Sequence, residues 1–132
     1  MDYPEPPDGS NGHWVYGWAV SEEMLRKYMA VYRIRATGHT APFWNELADF
    51  LDYLENKTDH QFKVKYEVGK VTDPNDKHLL VKYPDDSSCL QIVVVRRSKL
   101  GKTYGKRVTK EAMGILTKIF DGKPPKWFEC YL

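Results

Sequence analysis

The chain has 132 residues, is 42% hydrophobic and 14% aromatic, and carries 20 basic against 18 acidic side chains for a net charge of +2. That length suits one domain that buries about two-thirds of its extended surface on folding, and the apolar fraction excludes a disordered chain. No apolar run approaches the roughly 18 residues of a membrane helix, so no span is expected.

Residues 1–12 are acidic and rich in proline, and a flexible tail is expected there, with a single domain over 13–132. The tail has neither the basic start nor the apolar centre of a secretory leader, which points to the cytoplasm or nucleus. Next, His13–Val20 reads as a short strand that puts Trp14, Tyr16 and Trp18 on one face. Ser21 resembles an N-cap, and Met24, Leu25, Tyr28, Met29, Val31 and Tyr32 recur at helical spacing to about Arg35, with Gly38 as punctuation. A second helix begins near Thr40, with Pro42 in its first turn and Phe43, Leu47, Phe50, Leu51 and Leu54 as its apolar stripe.

From Gln61 the period changes to two, which predicts a half-exposed strand with Phe62, Val64, Tyr66 and Val68 on one side. Turn chemistry at Asp73-Pro74-Asn75-Asp76 leads to a second strand around His78–Tyr83. The third, Leu90–Val95, is apolar on both faces except at Gln91, as a central strand should be, and the N-terminal or the C-terminal aromatic segment is expected beside it. Thr109 caps a last helix with Ala112, Met113, Leu116, Ile119 and Phe120 on its buried face, stopped by Gly122, Pro124 and Pro125; a strand around 127–131 follows. The expected fold is α+β: a mostly antiparallel sheet of three to five strands against about three helices, in the order β-α-α-β-β-β-α-β.

Charge is distributed unevenly. Residues 1–60 hold five basic and ten acidic side chains, residues 61–132 fifteen and eight, so a partner steered by long-range field would favour the second half. Within it the stretch 96–110 has seven cations and no acid: Arg96, Arg97, Lys99, Lys102, Lys106, Arg107 and Lys110. With Gly101 and Gly105 in its middle and a helix start at its end, this stretch is the candidate anion-binding site. The bland alternative is a solvated connection. Gly101-Lys102-Thr103 lacks the upstream glycine of a Walker loop.

The aromatic stripe has two readings as well: core, or a ligand platform of Trp14, Tyr16 and Trp18 with Tyr104 from the basic stretch. His13, His39, His60 and His78 show no metal spacing, Cys89 and Cys130 match neither a zinc pattern nor a disulfide framework, and no nucleophile elbow is present. No cofactor or metal is expected. The residues point to a non-enzymatic intracellular binding protein that contacts an anionic partner, whether nucleic acid, a phosphate-bearing ligand or an acidic protein. A rival reading is a protein-interaction or homodimerising module using the apolar arc of the first helix and the aromatic strand. A third is a ligand-binding protein or enzyme with a Trp-lined pocket.

Overall fold

Large rings at alternate positions suit a strand with one buried face, and in the computed structural model His13–Ala19 is that strand, β1. The structure describes residues 12–34, 42–60, 64–83, 85–99, 102–104 and 108–130, so the expected tail, apart from Gly12, lies outside it. After β1 come α1 (Glu22–Val31), α2 (Pro42–Lys57), β2 (Lys65–Gly69), a 3-10 helix (Pro74–Leu79), β3 (Val81–Lys82), β4 (Ser88–Lys99), β5 (Lys102–Tyr104), α3 (Lys110–Ile119) and β6 (Lys126–Glu129). The chain is a single α+β domain. Its antiparallel sheet has the order β2-β4-β1-β6, with β3 and β5 paired to the two ends of β4.

Two cores follow from strand alternation. On one face Trp14, Tyr16, Trp18, Val93 and Val95 meet the apolar stripes of all three helices. One aromatic knot joins those helices: Tyr28 of α1, Phe50 of α2 and Phe120 at the end of α3 have ring centroids 5.6 to 5.8 Å apart. Such pairs contribute about 1 kcal/mol each beyond their buried area. On the other face Val15, Ala19, Leu90, Ile92, Val94, Phe128 and Cys130 form a smaller cluster. The sheet curls around it until its edge strands touch: Gly69 bridges to Cys130, and the Lys70 N–H donates to the Glu129 carbonyl at 2.8 Å. A Cβ on Gly69 would meet the tip of the Ile92 side chain, which would have to turn aside, and would lie close to the Glu129 carbonyl.

Side-chain oxygens start the helices as expected. Ser21 Oγ accepts from the Met24 N–H and Thr109 Oγ1 from the Ala112 N–H, both at 3.1 Å. All three helices end alike, with a non-glycine residue in the left-handed region: Arg33 (φ 54°), Asp59 (φ 55°) and Asp121 (φ 60°). Each end makes the paired 6→1 and 5→2 bonds of a Schellman motif, for α1 from Ile34 to Met29 at 2.9 Å and from Arg33 to Ala30 at 3.3 Å. The first helix therefore stops at Val31, short of the expected Arg35, because the cap rather than Gly38 closes it.

Two strand expectations change. Around His78–Tyr83 only Val81–Lys82 is strand, because Asp73 Oδ1 accepts the Asn75 N–H at 2.9 Å and Pro74 presets a 3-10 turn that carries the chain through Leu79. The third strand is far longer than Leu90–Val95: β4 runs from Ser88 to Lys99 and takes in the first four residues of the basic stretch. Tyr66, expected on the covered side of its strand, is 45% exposed because β2 stands at the sheet's margin.

Candidate functional site

A bulge at the end of β4 decides where the first cations go. Gly17 pairs with Val94 and Tyr16 with Arg96, leaving Val95 as an extra residue. A Cβ on Gly17 would overlap the Val93 carbonyl, so only glycine lets β1 and β4 approach there. Beyond a bulge each side chain changes face. Arg96 accordingly shares the helix-covered face with its partner Tyr16, while Arg97, opposite Val15, turns to the enclosed side.

There Arg97 is 19% exposed and ion-paired with Glu67 of β2. The pair stands near Cys130, whose thiol is pushed up to about 12 by burial first and by the Glu67 charge second, with Arg97 opposing. Arg97 thus serves the second core. Arg96 is half-buried and engaged with neighbouring groups. Lys99 and Lys102 face each other in the β4–β5 register, and Tyr104 stands opposite Arg97. The side chains of Lys99, Lys102 and Tyr104, and residues 105–107 with Lys106 and Arg107, lie outside the described residues. Lys110 is exposed in the first turn of α3.

Trp14, Tyr16 and Trp18 are 9%, 7% and 5% exposed, and their stripe forms core rather than an open stacking surface. Trp18 stacks on Phe120 at 4.5 Å, and Tyr16 lies against Trp127 at 5.2 Å. The apolar arc of α1 is similarly occupied: Leu25, Tyr28 and Met29 are buried and Met24 and Tyr32 pack against the core, leaving Val31 at 60% exposure. His60 lies 4.0 Å from Glu55, His78 is exposed on the 3-10 helix, and His39 is outside the described residues. Among the described residues no group of three His, Cys, Asp or Glu is placed to hold a metal ion, and no helix is long and apolar enough to cross a membrane.

A concavity lies beside α3. Its volume is about 870 Å³, and Tyr16, Met113, Gly114, Thr117, Pro124 and Pro125 line most of it, with Lys110, Lys118, Asp121 and Gly122 around them. On α3 the lining follows the spacing of one helix face, Lys110, then Met113 and Gly114, then Thr117, and Asp121 follows beyond the helix end. The opposite wall is the segment after α3, and it is firmly anchored. The Trp18 Nε1–H donates to the Lys123 carbonyl at 2.8 Å and Lys27 pairs with Asp121 at 3.1 Å, while the Tyr32 hydroxyl donates to the Ile119 carbonyl at the end of α3 itself at 3.0 Å.

Electrostatically the groove is lopsided. Its acid, Asp121, is occupied by Lys27, whereas among the described residues no carboxylate pairs with Lys110 or Lys118. Other cations are matched, Lys70 with Glu129, Lys82 with Asp86, and Lys126 with both Asp73 and Asp76, whereas Arg33, Lys65, Lys77 and Lys123 pair with no carboxylate among the described residues. Of the residues singled out by sequence, the groove uses Tyr16 and Lys110. Gly114, Thr117, Lys118, Pro124 and Pro125 were not legible as site residues, since the prolines read only as a helix stop. Gly114, on the polar side of a helix, was the one available signal.

No family model matches the chain, and no curated protein or solved structure matches it.

Proposed function

We propose that this chain is a non-enzymatic binding protein that takes an anionic partner on the α3 side of its sheet. The observation that carries the reading is the pair Lys110 and Lys118, exposed beside an anchored groove and matched by no described carboxylate. Arg96 supports it, because the bulge brings this cation to the same side of the sheet as α3. Arg97 does not contribute, being committed to Glu67. Self-association through α1 and β1 has less in its favour, since nearly all of that apolar surface is already packed.

We place the protein in the cytoplasm or nucleus. Cys89 and Cys130 are free thiols on opposite faces of the sheet, an arrangement that suits a reducing compartment.

Fluorescence anisotropy with a labelled single-stranded oligonucleotide and with a heparin-derived oligosaccharide tests the reading at two salt concentrations. Binding should weaken as salt rises, and each of Lys110→Glu and Lys118→Glu should flatten the logarithmic salt slope for the oligonucleotide by about 0.7 or more. Absence of binding to either probe at low salt removes the proposal.

A further inference from the structure

We draw no further inference here: the strongest candidate, the buried Gln91 side chain on the helix-covered face of β4, whose Nε2 donates to the Tyr83 hydroxyl beside the Trp44–Tyr83 ring stack while its Oε1 meets no hydrogen-bond partner, is closed off from solvent, and nothing in the structure shows what would reach it.

Discussion

Single residues at the end of β4 control the charge map. Consecutive strand residues alternate faces, and because Gly17 admits the Val95 bulge it is Arg96 that turns toward the helices and Arg97 that enters the enclosed side with Glu67. Gly17→Ala places a methyl group against strand backbone that cannot swing away, and we expect a loss of about 3 kcal/mol. Urea denaturation measures it; a loss below 1 kcal/mol would mean that the two strands separate readily. The cysteines give a second residue-scale expectation. Cys130 is buried, with its thiol held protonated to about pH 12, while Cys89 is only partly covered. Native protein at pH 8 should therefore take one equivalent of iodoacetamide, at Cys89, with Cys130 modified only after unfolding. Peptide mapping by mass spectrometry distinguishes the two.

Element by element, the helix ends are where stability is left unused. Arg33 sits in the left-handed region that closes α1, at a cost L-residues with a Cβ normally avoid. Arg33→Gly relieves that strain and pays back part of it in unfolded-state entropy, for an expected net gain of about 0.5 kcal/mol. A thermal melt that falls instead would show that the Arg33 side chain contributes something the backbone does not reveal. The same ends explain what the sequence could and could not show. Helix starts were legible because Ser21 and Thr109 have a specific hydrogen-bonding role before an apolar-periodic run. Gly122 marked the stop of α3, but those of α1 and α2 were less legible, because Arg33 and Asp59 carry no glycine signature. The order of elements followed from periodicity together with caps and turn residues, with the short β5 (Lys102–Tyr104) as an addition. The groove did not, since it is assembled from α3, Tyr16 and the proline segment, and only the packing brings these together. Likewise the fate of Arg97 depended on a register slip that only Gly17 hinted at.

For the whole molecule, the buried phenols and thiol fix how stability responds to alkali. Burial raises Tyr28 from 10.0 to about 12, and raises Tyr32, Tyr53 and Tyr83 as well, while Cys130 rises from 9.0 to about 12. In the unfolded chain these groups release protons at lower pH than in the folded one. Their contribution is therefore complete below about pH 9 and is lost progressively as pH climbs toward 12. The urea midpoint should fall steadily over that window, and Cys130→Ala should make the decline shallower. A midpoint that stays level between about pH 8 and about pH 11 would contradict the burial of these groups.

The pairing of β1 with β6 has a mechanical consequence. His13 and Cys130 stand at the same end of this antiparallel ladder, where the Cys130 N–H reaches the His13 carbonyl at 2.8 Å. Force applied between these two residues acts across the strands, along the direction of their hydrogen bonds. The bonds would break one after another like teeth of a zipper, from Cys130 back toward Lys126, drawing Phe128 and Trp127 out in turn. An optical-tweezers handle pair at those positions should see rupture at low force, well before tension along β4 dislodges that central strand.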